Sequence, residues 1–263
     1  MRTILCLAIV ALCANPAEAQ PRVTNGELRQ AVISGALTRA SLEGLARAGA
    51  AWVGYTVPAR DGEHHMCASV GTTNPVPLEG SGMVQLLYRL EAGAVTRIRM
   101  FSDDCALDAG GLTVHWLNAV SPVESVAVLA GFINATVSTR LADSALAALG
   151  MHQEPTALDR LLTAARAGAT PQIRGQALFW LAQRAGDKAV GAITDAIARD
   201  PETDVKKRAV FALSQLPRDE GVPRLIDVAR TNANPAVRKQ AMFWLGQTKD
   251  ARALKFFEDI LFK

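Results

Sequence analysis

The sequence predicts an α+β N-terminal module followed by an all-α superhelical solenoid, and three observations carry that expectation. Before residue 121 apolar residues alternate in twos, the rhythm of half-buried strands. After it they recur with the period of a helix, and a whole phrase repeats: "QALFWLAQ" from Gln176, "RAVFALSQ" from Arg208 and "QAMFWLGQ" from Gln240. Between the two stands "SPVE", with Ser121 as a helix cap, Pro122 at the first helical position and Glu124 three residues after the cap. The expected organisation is a signal peptide over 1–19, an α+β domain with antiparallel strands over 20–120, and repeats over 121–263.

The first segment, "MRTILCLAIVALCANPAEA", has a basic Arg2, an apolar run from Ile4 to Cys13 and an Ala17-Glu18-Ala19 end. That is the three-part pattern of a secretory signal. Its apolar run is too short to span a bilayer, and no later stretch is long enough to do so. The mature chain is therefore expected to be exported, periplasmic or secreted, without a membrane span. Removal of the signal takes Cys6 and Cys13 with it and leaves Cys67 and Cys105, an even pair in an oxidising compartment. A disulfide between them is expected.

In the module, Leu37 to Gly49 reads as a short amphipathic helix and Ala51 to Pro58 as a strand stopped by proline. Val84 to Phe101 reads as a hairpin. Val84, Leu86, Tyr88 and Leu90 share one face, Ala92-Gly93 turns the chain, and Ile98 and Met100 return to that face. A second turn over Asp108 to Gly111 is expected to lead into a third strand.

In the second half, Ile173, Val205 and Val237 lie at an interval of 32 residues, as do Ala177, Ala209 and Ala241, and Leu181, Leu213 and Leu245. The register continues through Leu158, Val190, Val222 and Leu254, and through Leu161, Ile193, Leu225 and Phe257. A weaker copy upstream carries Val126, Leu129, Leu141, Ala145 and Leu149. About four helix pairs with this period imply a solenoid, because one pair cannot bury its apolar face alone. Two stretches, "VRKQAMFWLGQ" (Val237 to Gln247) and "GVPRLIDVAR" (Gly221 to Arg230), resemble HEAT-like repeats of the short phycobilin-lyase type. The resemblance covers roughly Ser121 to Lys263 and implies an all-α HEAT-like superhelical solenoid. Such repeats serve scaffolds, inhibitors, adaptors and a few enzymes, so the resemblance implies binding rather than a reaction, and the lyase activity is not carried over.

The repeated phenylalanine is unusual. At about 100° per residue, Phe179 falls about 160° from the centre of the core stripe. The same place holds Phe211 and Phe243, where HEAT-like repeats usually carry a polar group. Gln183, Gln215 and Gln247 lie on one side of this ladder, and Lys207 and Lys239 on the other. The two readings are a partner-binding stripe and lateral packing between repeats. Trp180 and Trp244 point toward the core. In the last helix, Phe256 replaces Arg160 and Arg224, and Phe262 replaces Arg166 and Arg230. These two phenylalanines mark a seam for a homodimer, or a helix folded back on its neighbour. If the ladder is packing, the second helices become the binding face, with Arg160, Arg224 and Lys255 foremost.

A formal net charge of +3 over 263 residues is too small for a nucleic-acid partner. Known nucleotide, metalloprotease and nucleophile-elbow motifs are absent. The function expected is an exported scaffold that binds a protein partner through HEAT-like repeats, with no cofactor, metal or catalytic residue. The alternative is a metal-dependent hydrolase built on His64, His65, Cys67, Asp103, Asp104 and Cys105. These are zinc-ligand residue types, and a Cys nucleophile with a His base is a further use of them.

Overall fold

A computed structural model describes residues 20–47, 49–62, 66–67, 82–184 and 186–262. The expected signal peptide and both His64 and His65 lie outside the described residues.

The module contains β1 (Val23–Ala31), α1 (Arg39–Gly44), β2 (Ala51–Pro58), β3 (Met83–Glu91), β4 (Ala94–Ser102) and β5 (Leu107–Leu117). The strands form one sheet in the order β1-β5-β2-β3-β4. The β2-β3-β4 meander is antiparallel, while β5 runs parallel to both β1 and β2. The sheet is thus mixed rather than purely antiparallel. The expected hairpin is present, with Ala92 and Gly93 both at positive φ in its two-residue turn.

Three local expectations are corrected. The Asp108 to Gly111 segment does not turn the chain but forms a bulge inside β5. Gly110 and Gly111 take φ of 61° and 82°, and Asp108 Oδ1 accepts from the Gly110 N–H at 2.8 Å. A glycine pair serves a bulge as readily as a turn. The helix of the module is shorter than its amphipathic pattern: it starts at a reciprocal capping box of Thr38 and Ser41 and ends at Gly44. At the boundary Pro122 does open a helix, but no side-chain hydrogen bond caps it at Ser121 among the described residues. Glu124 instead accepts from the Leu37 N–H at 3.3 Å, tying the helix to the module.

The helices that follow are α2 (Pro122–Ala130), α3 (Thr139–Met151), α4 (Pro155–Ala167), α5 (Pro171–Arg184), α6 (Asp187–Arg199), α7 (Thr203–Ser214), α8 (Arg218–Thr231), α9 (Pro235–Gln247) and α10 (Ala251–Leu261). From α3 onward they form four pairs whose first helices begin at Thr139, Pro171, Thr203 and Pro235, again 32 residues apart. Each first helix buries the same three places, such as Val205, Ala209 and Leu213 in α7. Among the described residues, none of the helices is long and apolar enough to cross a membrane.

Sheet and array share a single core. One cluster of buried side chains runs from Leu42 of α1, through Tyr55, Tyr88, Leu129 and Phe132, to Phe256 of α10. The junction is also hydrogen-bonded. Ala59 makes a β-bridge with His152, the Arg60 N–H donates to Met151 O at 2.8 Å, and the Gln153 N–H donates to Pro58 O at 3.0 Å.

Candidate binding surface

The surface of interest begins as the contact between successive first helices. Phe179 and Phe211 are both half-buried, with ring centroids 6.0 Å apart and planes 3° from parallel. Phe211 then meets Trp244 at 4.9 Å. Trp180 and Trp244 stand edge-on to Phe179 and Phe243, at 5.2 Å and 5.0 Å. An inner ring is thus sandwiched by the next repeat, and stacking of this kind adds about 0.5–1.5 kcal/mol to area burial. Both tryptophans are only partly buried against the core, and each indole Nε1 is covered without a hydrogen-bond partner among the described residues.

Trp180 has a built seat. A Cβ on Gly150 of α3 would lie 2.4 Å from its ring, so only glycine allows the approach. Three intervals further on, Gly246 of α9 stands in the same register, and a Cβ there meets nothing within 4 Å among the described residues.

The ladder ends in the open. Phe243 is 54% exposed. On α10, Leu254, Leu261 and Phe262 are 64%, 78% and 87% exposed. Two expectations for α10 are corrected here. Leu254 keeps the sequence register of the buried Val190 and Val222 yet faces solvent. Phe256, expected either at a dimer seam or folded back on its neighbour, is folded back: it is buried, with the Arg230 guanidinium 5.2 Å over its ring. The last helix is rolled so that Ala253 and Phe256 turn inward.

The polar flanks of the ladder are uneven. Gln183 is half-buried, and its carbonyl accepts from Arg60. Gln215 and Gln247 are exposed. Lys207 pairs with Asp204 at 2.9 Å, and Lys239 is exposed. On the second helices, Arg160 and Lys255 are exposed and Arg224 is half-buried.

The cysteines do not form a ligand set. Cys67 and Cys105 are joined in a disulfide with Cα atoms 5.4 Å apart. Asp104 lies close enough to complete a cluster with them, but both sulfurs are committed to each other. Gln85 secures the same corner, its Nε2 donating to the carbonyls of Ser102, Asp103 and Cys105. The hydrolase alternative loses its two thiols.

One polar group was not anticipated from sequence. Tyr88 Oη, Tyr55 Oη, Ser125 Oγ and His152 Nε2 form a fully buried chain, linked at 2.7, 3.1 and 3.1 Å. His152 Nδ1 accepts from the Glu154 N–H, so Nε2 carries the proton and donates to Ser125. Burial pushes the His152 pKa down to about 4 and the Tyr55 pKa up to about 12. Both groups are neutral at pH 7, and solvent does not reach them. The serine–histidine contact therefore fastens the sheet to α2 and α3 rather than serving as a nucleophile. Its one signal in the sequence is scarcity: the chain has only two tyrosines, and both are here.

Residues 190–262 match a protein family described as HEAT repeats. The helical part of the chain is a HEAT-like repeat array. A solved structure of the complex of CpcE and CpcF of phycocyanin lyase from Nostoc sp. PCC7120 is similar to this chain at 20% sequence identity, with a TM-score of 0.40. The match covers 54% of this chain and 91% of the other. No curated protein matches the chain.

Proposed function

We propose that the protein is an exported scaffold that binds another protein through the end of its HEAT-like array. The observation that carries this reading is the end of the aromatic ladder: the inner rings are sandwiched, whereas Phe243 is exposed to solvent, as are Leu254, Leu261 and Phe262 on the adjoining helix. Exposed apolar patches mark protein–protein interaction sites. Lys239 and Gln247 rim it and supply polar specificity. The disulfide supports export, since such bonds persist in oxidising compartments.

The test is quantitative capture from the exported fraction with the intact chain and with a Phe243→Gln, Leu254→Gln variant. Both changed positions are surface ones, so the variant should melt within a few degrees of the parent. Loss of a specific, stoichiometric protein from the variant's captured set supports the proposal. Identical captured sets from parent and variant would refute this face as the binding site.

A further inference from the structure

We propose that the open end of the array takes a second copy of the same chain, tail to tail about a two-fold axis, with Phe243 of each copy seated over Gly246 of the other. This names the partner for the face described above and rests on that reading of it.

Three features argue for this occupant. First, the surface is a continuation of the interface already built between repeats. Phe243 holds the ladder position after Phe179 and Phe211 and stands edge-on to Trp244, the ring on which Phe211 packs, and Gly246 is the register equivalent of the seat that Gly150 offers to Trp180. This face therefore presents both an exposed ring and an open glycine. Second, the opposite end of the array is closed. Helix α3 is covered by α2 and by β4 of the sheet, so a copy added head to tail would find no matching face. An interface that cannot propagate head to tail must close on itself, and a two-fold contact does so.

Third, the face is self-complementary. Phe243 and Gly246 lie one turn apart on the same exposed stripe of α9. In an antiparallel α9–α9 pair centred between them, each ring meets the other copy's glycine. The same register brings exposed Lys239 to the turn of the other copy that carries Asp250. The Asp250 carboxylate there is bound by Arg252 and its side chain is only 11% exposed, so Lys239 meets the turn itself rather than a free carboxylate. Leu254 and Leu261 are exposed on the neighbouring helix α10.

The experiment is sedimentation equilibrium of the full chain over a range of concentrations, with three variants. Gly246→Leu fills the seat, and the free space around its Cβ means that the monomer accommodates the change. It should keep or raise the melting temperature and weaken dimerisation by about tenfold or more. Phe243→Ala removes the ring and should weaken dimerisation to a similar degree. Phe243→Ala with Gly246→Leu exchanges ring and seat and should recover a substantial part of the affinity. A parent chain that stays monomeric at about 100 μM, or a Gly246→Leu variant that dimerises like the parent, overturns the proposal. If the parent is monomeric but the Phe243→Gln, Leu254→Gln variant still loses a captured protein, the scaffold reading survives and only the second copy fails.

Discussion

Helices α8 and α10 occupy the same place in successive repeats and differ in which side chains they bury. In α8, Val222, Leu225 and Ala229 are all buried. Their counterparts 32 residues on are Leu254, Phe257 and Leu261, and none of these is buried. The period of a repeat thus marks where a core would form if another repeat followed. It does not say whether one does. The end repeat responds by rolling its last helix onto Phe256 and leaving its periodic leucines outside.

The comparison can be broken most strongly at the rolled helix. Phe256→Ala should cost about 3–5 kcal/mol, as large-to-small changes at buried aromatics do, and should shift the denaturant midpoint accordingly. The paired changes Leu225→Ala and Leu254→Ala should then separate widely. The first is expected to cost about 2–5 kcal/mol and the second at most about 0.5 kcal/mol. Equal effects would show that α10 packs like α8.

The junction offers a pH-dependent test of how firmly the array is held. His152 has a folded pKa of about 4, against 6.5 ordinarily, so between these values the unfolded chain binds more protons than the folded one. Its contribution is fully present above pH 6.5 and is lost as pH falls toward 4. Chemical denaturation across that window should register a loss of up to about 3 kcal/mol. A His152→Gln variant should be less stable at pH 7 and flatter in its pH dependence.

Replacing Cys67 and Cys105 by Ser is expected to cost about 2–4 kcal/mol. Near-ultraviolet signals of the module should register the loss before helical ellipticity does. The smallest contrast lies along the ladder. Phe211→Gln removes a sandwiched ring and should cost about 1–3 kcal/mol, whereas Phe243→Gln should cost at most about 0.5 kcal/mol. Equal melting temperatures for the two would mean that the inner stack contributes no more than its exposed end.

The sequence made some of this readable and hid the rest for physical reasons. The array was legible because its core residues recur at a fixed interval, and β2 and the β3–β4 hairpin because alternation and an Ala-Gly turn are local signals. Strand β1 was not legible: most of its side chains face solvent, and parallel pairing with β5 leaves no turn between the partners. The Glu124 side chain could satisfy Ser121 or Leu37, and only the folded neighbourhood decides between them. At the candidate site, the ring positions were legible but their exposure was not. The same phenylalanine is half-buried at 179 and 211 and open at 243, and the local phrase around it is the same in all three. Gly246 carried no signal until Gly150 was seen beneath Trp180.

The parallel β1–β5 ladder has a kinetic consequence. Val23 pairs with Leu107, so the strands meet only after the chain between them has been gathered up. Contacts within the array join helices that are near neighbours in sequence. Closing a long loop costs entropy before any pairing compensates it, and such steps are slow. The array should therefore consolidate in an early fast phase, and the sheet should close against it in a later one. During synthesis the order of emergence runs the other way, module first. The nascent module then waits with β2, β3 and β4 exposed until α2 and α3 arrive to cover their inner face.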